Sequence, residues 1–197
     1  MIELAAIFVV WAYILVFLAL TRRAARDAGK PVWLFAKGSE RQSLPAALFR
    51  LSIVSGAILP VITHILRVSE TQAWMLTPFA LGVAARLAGL VLVTAGASLA
   101  LYSQAYMGKS WRIGAAEGHL GAIVDTGPFA WSRNPVFVGQ IALFTGLVLV
   151  FPTLPQLCAA LALIVAVAIQ VRVEERVLAR DLGEPYLTYK RRVRRWL

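Results

Sequence analysis

Five runs of apolar residues dominate this sequence and restrict it to folds that bury long helices. A helix needs about 20 consecutive apolar residues to cross the hydrocarbon core of a bilayer. The runs cover residues 2–20, 45–66, 87–106, 136–151 and 157–171. The last two are short, so their helices are expected to begin in the flanking segments, and residues 151–155 between them predict a helical hairpin. The pattern therefore predicts an all-α, polytopic membrane protein with about five transmembrane helices.

The composition agrees with this prediction and disfavours several other classes of protein. Hydrophobic residues make up 59% of the 197 and charged residues only 15%, whereas soluble domains have about 45–50% and about 25%. A soluble globule, a disordered chain and a nucleic-acid-binding module are therefore disfavoured, in spite of the net charge of +10. The chain has one cysteine, Cys158, and two histidines, His64 and His119. An internal disulfide is impossible, and no metal site is expected.

The placement of basic residues predicts how the helices are oriented. Segments 21–50, 107–135 and 172–197 contain 18 of the 20 lysines and arginines. Five spans put these three segments on one side of the membrane, and loops rich in lysine and arginine lie on the cytoplasmic side. The sequence thus predicts an outside N-terminus, a cytoplasmic C-terminus and a basic tail that contacts anionic lipid headgroups.

Unusual polar residues gather in the second half of the chain. Residues 1–106 read as three apolar spans with a basic loop, and residues 107–197 as a hairpin with polar segments. Segment 108–135 mixes glycine with aromatic residues and arginine, which is frequent at ligand sites, although its glycines alone are typical of a linker. Asn134 and Pro135 predict the N-cap and first residue of a helix. Beside Arg133, that helix end favours a carboxylate or phosphate ligand, but an ordinary helix start fits equally well.

Two adjacent glutamates, Glu174 and Glu175, follow the last apolar run. Carboxylates near lipid are costly unless they are paired or used. Helical spacing puts Arg172 and Glu175 on one face and Glu174 on another face with Gln170. A solvated helix with glutamate–arginine pairs explains this pattern as well as a functional site does. Gly183 predicts the end of the helix.

Together these motifs resemble the isoprenylcysteine carboxyl methyltransferase family. The first comprises Thr126-Gly127-Pro128-Phe129, Arg133-Asn134-Pro135, Phe137 and Gly139, and the second comprises Arg172, Glu174-Glu175, Leu178, Leu182-Gly183, Tyr186 and Tyr189. The wider group includes phospholipid N-methyltransferases and small-thiol methyltransferases, and its bacterial members also resemble the stretch 108–114. The eukaryotic enzymes usually have histidine at the position of Asn134 and tyrosine at that of Phe137. The resemblance covers residues 108–197.

The resemblance implies a membrane-embedded methyltransferase whose cofactor, S-adenosylmethionine, occupies a cytoplasmic pocket closed by the C-terminal segment. A lipophilic or small acceptor would enter from the bilayer. The implied cofactor-binding residues are Gly127, Pro128, Phe129, Arg133, Asn134, Pro135, Phe137, Gly139, Glu174, Glu175, Tyr186 and Tyr189. A carboxylate acceptor would need an orienting cation, for which Arg172 is the candidate and Arg112 the reserve. An amine or thiol would need a base, and Glu175 is the candidate.

Several functions stay open at this stage. The first is O-methylation of the kind performed by the isoprenylcysteine enzymes, and the second is methylation of a phospholipid amine or a small thiol on the same fold. A membrane reductase that uses NADPH is a further alternative, because membrane sterol reductases are distantly similar in their C-terminal halves. A small transporter or assembly protein, in which segment 108–135 only connects helices, is the last.

Overall fold

Helices account for nearly all of the chain that the structure describes. The structure is a computed structural model that describes residues 1–29, 32, 34, 43–69, 81–114 and 123–197. The helices are α1 (Ile2–Ala28), α2 (Ser43–Val68), α3 (Val83–Met107), α4 (Pro135–Val150), α5 (Leu154–Leu182) and α6 (Glu184–Arg192). Short 3-10 turns cover Gly108–Ser110 and Gly127–Ala130. The all-α prediction is confirmed for these parts of the chain.

Four of the helices, α1, α2, α3 and α5, are long and apolar enough to cross a membrane. The remaining apolar helix, α4, has only 16 residues. At about 1.5 Å per residue it extends roughly 24 Å, which is somewhat less than the hydrocarbon core of a typical bilayer. The presence of helices suited to crossing a membrane is therefore confirmed. A fifth span and the orientation of the termini stay predictions.

The predicted hairpin between α4 and α5 is confirmed. Helix α4 ends at Val150 and α5 begins at Leu154, so only three residues connect them. The hydroxyl oxygen of Thr153 accepts a hydrogen bond from the backbone N–H of Gln156 at 3.4 Å and caps α5. This cap explains locally why the chain reverses where it does.

Helices α3 and α4 pack backbone to backbone through two glycine pairs. A Cβ added to Gly96 would lie 2.5 Å from the carbonyl oxygen of Gly139, and the reverse distance is also 2.5 Å. One heptad away, a Cβ on Gly146 would lie 2.5 Å from the carbonyl oxygen of Gly89. Small residues at such positions let membrane helices approach closely. The crossing fixes the start of α4 next to the end of α3.

The polar segments meet at one end of the helix bundle. The backbone N–H of Leu34 donates to the carbonyl oxygen of Ile113 at 2.8 Å, and that of Arg133 donates to the carbonyl oxygen of Arg194 at 2.9 Å. The first bond joins the loop after α1 to the segment after α3. The second joins the residues just before α4 to the last residues of the sequence. At the opposite end of the bundle, Glu3 of α1 forms ion pairs with side chains of α2 and α3.

Candidate functional site

A cavity opens at the end of the bundle where the polar segments meet. Its open space is about 1130 Å³, a figure that includes the solvent at its opening. Both halves of the chain line it: α1 and α2 contribute from the first half, and α4, α5, α6 and residues 107, 111–114, 123–124 and 129 from the second. Of the predicted cofactor-binding residues, those along its wall are Phe129, Arg133, Asn134, Pro135, Phe137, Glu174, Glu175, Tyr186 and Tyr189.

Asn134 marks the start of α4 as predicted, but its side chain has another partner. Helix α4 begins at Pro135 with Asn134 as N-cap, yet the Asn134 side chain makes no capping hydrogen bond. Its Nδ2 instead donates to the carbonyl oxygen of Arg195 at 2.9 Å, and its backbone N–H donates to Ser132 Oγ at 3.1 Å. Asn134 therefore ties the end of the chain to the start of α4.

Arg133 joins the two sequence motifs. Its Nη2 donates to Glu175 Oε1 at 2.7 Å, and both side chains are only 8% exposed. Its Nη1 donates to the carbonyl oxygens of Val193 at 2.6 Å and Lys190 at 3.0 Å. Both of its Nη atoms are bonded within the protein, which makes the side chain a structural anchor, while its Nε is buried without a hydrogen-bond partner among the described residues. The guanidinium is thus largely committed to the protein itself.

Arg195 completes this anchor from the end of the chain. Its Nε donates to Glu175 Oε1 at 2.9 Å and its Nη2 to Glu175 Oε2 at 2.8 Å. We name Arg133, Glu175 and Arg195 the clasp. With both oxygens of Glu175 occupied, the clasp holds the residues after α6 against α4 and α5, behind the part of the cavity wall that Arg133 and Glu175 form.

Glu174, next in sequence to the clasp, has a different environment. It lies on the cavity wall, and Gln170 Nε2 donates to its Oε1 at 3.1 Å. Arg112 lies on the same wall. Burial lowers the pKa of Arg112, while the negative charge of Glu174 acts to raise it. Within the described part of the chain, Arg112 Nε is buried without a hydrogen-bond partner. The cavity therefore contains one acidic and one basic side chain that interact and retain binding capacity.

Segment 107–114 is fixed to α1 by a buried polar network. Trp111 Nε1 donates to Thr21 Oγ1 at 3.2 Å, and Gln104 Nε2 donates to the same oxygen at 2.8 Å. The ring of Trp111 also meets that of Phe17 edge to face, with centroids 5.7 Å apart. Because Trp111 immediately precedes Arg112, this network sets where Arg112 stands in the cavity.

Tyr186 and Tyr189 of α6 form a buried, uncharged part of the wall. The hydroxyl of Tyr189 donates to the carbonyl oxygen of Phe129 at 2.8 Å, which links α6 to the Gly127–Ala130 turn. Burial raises the pKa of Tyr186 to about 12 and also raises the pKa of Tyr189. Both hydroxyls therefore stay neutral at physiological pH and offer hydrogen bonds without charge.

The deep part of the cavity lies between membrane helices and is apolar. We name it the apolar arm; its side chains come from four helices and are Phe17, Pro45, Phe49, Phe137, Gln140 and Ala166. Gln140 is its one polar member. We name the part of the cavity that contains Arg112 and Glu174 the mouth. The cavity thus joins a charged mouth to an apolar space of the kind that a hydrocarbon chain fills.

Four of the residues singled out from the sequence lie away from the cavity. Arg172 is on the exposed face of α5. Gly127 and Pro128 line a separate depression beside Trp131, which is 78% exposed. Gly139 faces the crossing with α3. Gly118 and Gly121 of the glycine-rich segment lie outside the described residues.

Two side chains of this region were not predicted from the sequence as site residues. Gln140 stands alone as an amide within an apolar run, and that isolation was a usable signal. Arg195 lies in a basic tail that we interpreted only as a lipid contact. Its role depends on a contact 20 residues away along the chain, which no local pattern reports.

Comparison with protein families relates this chain to the phospholipid methyltransferase family, whose model matches residues 77–184. The match covers more than half of the 197 residues and includes α3, α4 and α5. No curated protein matches the chain significantly.

Proposed function

This chain belongs to the phospholipid methyltransferase family, and we propose that it transfers a methyl group from S-adenosylmethionine to an acceptor in the membrane. One observation carries the proposal: a single cavity joins a mouth with Arg112 and Glu174 to the apolar arm between helices. A water-soluble charged cofactor suits the mouth, and a lipid suits the arm. The basic segments gathered at this end favour a mouth that faces the cytoplasm.

The chemistry of the mouth fits the cofactor. Its amino acid end carries one carboxylate and one ammonium group, which complement Arg112 and Glu174 respectively. The unpartnered Nε of Arg112 is a donor still available to a carboxylate. Phe129 offers an aromatic face to a sulfonium cation. When bound, the cofactor supplies a methyl group on positively charged sulfur.

In this proposal the clasp closes the site without contacting the reacting atoms. Both oxygens of Glu175 are already bonded to Arg195, and Arg133 is bonded to Glu175 and to two carbonyl oxygens. We therefore assign these residues to positioning the wall that keeps water from the mouth. This assignment moves the role of candidate base from Glu175 to its neighbour Glu174.

The acceptor class depends on which proton chemistry the cavity supplies. An amine or thiol acceptor loses a proton during methyl transfer, and Glu174 is the carboxylate on the wall that can receive it. A carboxylate acceptor, as in isoprenylcysteine O-methylation, needs no base but needs a cation. Because Arg172 is exposed and outside the cavity, Arg112 is the cation for that reaction.

Mass spectrometry of membrane lipids tests the proposal and identifies the acceptor. Purified protein in detergent is incubated with methyl-labelled S-adenosylmethionine and a lipid and small-molecule extract. We expect label in a discrete lipid or small molecule, and at least tenfold less label with Glu174→Gln. Label absent from every fraction would overturn the proposal. Added NADPH should not compete, whereas competition would favour a reductase.

A further inference from the structure

Gln140 is an amide side chain placed in the apolar arm of the cavity. It lies on α4, is 1% exposed and lines the arm with Phe17, Phe137 and Ala166. A leucine would fill such a position at lower cost, because a buried amide needs hydrogen bonds to offset its desolvation. Each polar atom of this side chain therefore needs a hydrogen-bond partner.

One end of the amide is satisfied by the protein and the other is not. Gln140 Nε2 donates to the hydroxyl of Tyr13 on α1 at 2.8 Å. Tyr13 is itself buried, with 4% exposure. Gln140 Oε1 is buried and finds no donor anywhere in the described residues. The bond to Tyr13 fixes the side chain and leaves a carbonyl oxygen as its open hydrogen-bonding group.

We propose that Gln140 is a specificity residue whose carbonyl oxygen accepts a hydrogen bond from an N–H or O–H group of the ligand in the apolar arm. The inference rests on the proposed function and adds a chemical requirement to it. A ligand that places a hydrogen-bond donor next to Gln140 is preferred over a ligand that places only hydrocarbon there. The hydrocarbon ligand would leave the buried carbonyl oxygen of Gln140 without a partner, which costs binding free energy.

Two molecules of the reaction can carry such a donor. Ala166, which lines the same apolar arm as Gln140, precedes Glu174 by eight residues, or about 12 Å along α5. An extended S-adenosylmethionine spans a comparable length, so its adenine amino group is one source. A hydroxyl or amide close to the headgroup of a lipid acceptor is the other source.

Calorimetry with two cofactor products separates these sources. S-adenosylhomocysteine and its 6-oxo analogue, S-inosylhomocysteine, are titrated into wild-type protein and Gln140→Leu. Methyl transfer to an extract of membrane lipids is measured in parallel. Gln156→Leu, which removes a fully buried amide outside the cavity, is the matched control.

If adenine is the donor, Gln140→Leu weakens S-adenosylhomocysteine binding about fivefold to tenfold and leaves binding of the 6-oxo analogue unchanged. If the acceptor is the donor, S-adenosylhomocysteine binding is unchanged and the KM for lipid rises about fivefold to tenfold. Unchanged binding and transfer overturn the inference, and so does an equal loss with Gln156→Leu. Absence of binding and transfer in the wild type instead refutes the proposed function.

Discussion

Arg195, the last arginine of the chain, binds both carboxylate oxygens of Glu175 on α5, at 2.9 and 2.8 Å. Arg133 approaches the same carboxylate from the start of α4 at 2.7 Å. Three segments distant in sequence thus meet at one buried acidic group. The contact explains how the basic tail is held against the wall of the cavity that Arg133 and Glu175 form.

The clasp predicts a large loss of stability when Glu175 is neutralised. Glu175→Gln leaves two arginines around an uncharged amide, and removing one member of a buried ion pair costs about 3–5 kcal/mol. We expect a clear fall in the thermal midpoint of the detergent-solubilised protein and, as a consequence, weaker S-adenosylhomocysteine binding. Glu184→Gln is the control, because Glu184 is exposed and its partners among the described residues are Arg191 and Thr188. Equal midpoints for both variants would contradict the role of the clasp.

Arg112 and Arg172 should differ in their effect on cofactor binding. Arg112→Ala removes the cation from the cavity wall, and a charge-assisted hydrogen bond contributes about 1.5–3 kcal/mol, so roughly a tenfold to hundredfold loss of affinity is expected. Arg172→Ala alters the exposed face of α5 and should bind S-adenosylhomocysteine like the wild type. Calorimetry decides, and the reverse order would restore Arg172 to the site.

Gly139 is expected to matter for helix packing. In Gly139→Ala the new methyl group would lie 2.5 Å from the carbonyl oxygen of Gly96, so α3 and α4 must separate, at a cost of about 1–3 kcal/mol. Gly82→Ala is the control because no atom lies within 4 Å of an added Cβ there. Thermal unfolding of both variants measures the difference. If the binding affinity of Gly139→Ala falls while its midpoint stays unchanged, Gly139 contacts the cofactor instead.

Gly127 allows comparison of backbone strain with side-chain crowding. Gly127 and Gly29 both have positive φ values, +57° and +59°, which disfavour alanine at either position. At Gly127 an added Cβ would also lie 2.6 Å from Cζ of Tyr106, whereas nothing lies within 4 Å at Gly29. Gly127→Ala should therefore lower the thermal midpoint more than Gly29→Ala does. A second substitution, Tyr106→Leu, should remove part of that difference, and no relief would argue against the contact.

Features that depend on neighbouring residues could be predicted from the sequence. Asn134 and Pro135 marked the start of α4, Gly183 marked the end of α5, and the segment between Val150 and Leu154 turned the hairpin. Each signal acts within a few residues, through a preferred φ angle or a missing N–H group. Local signals of this kind are readable without knowledge of the tertiary fold.

Features that depend on which helix faces which could not be predicted in the same way. Spacing put Arg172 and Glu175 on one face, but the buried side of α5 includes Val171, Glu174 and Glu175 and leaves Arg172 outside. Arg172 and Glu175 differ by only about 60° around the axis of α5. The neighbouring helices set how α5 is rotated about this axis, and that rotation decides which of the two residues lines the cavity. Likewise, the close approach of Gly139 to Gly96 depends on which helix lies against α4, and the sequence does not show that.

Isothermal titration of S-adenosylhomocysteine into the wild type and Glu174→Gln tests the central claim most directly. Glu174 lines the cavity and accepts a hydrogen bond from Gln170. Replacing Glu174 should therefore leave the contacts of the clasp intact. We predict saturable binding to the wild type and at least tenfold weaker binding to Glu174→Gln, with a smaller fall in thermal midpoint than Glu175→Gln shows. No binding to the wild type, or equal affinity for both proteins, would contradict the account.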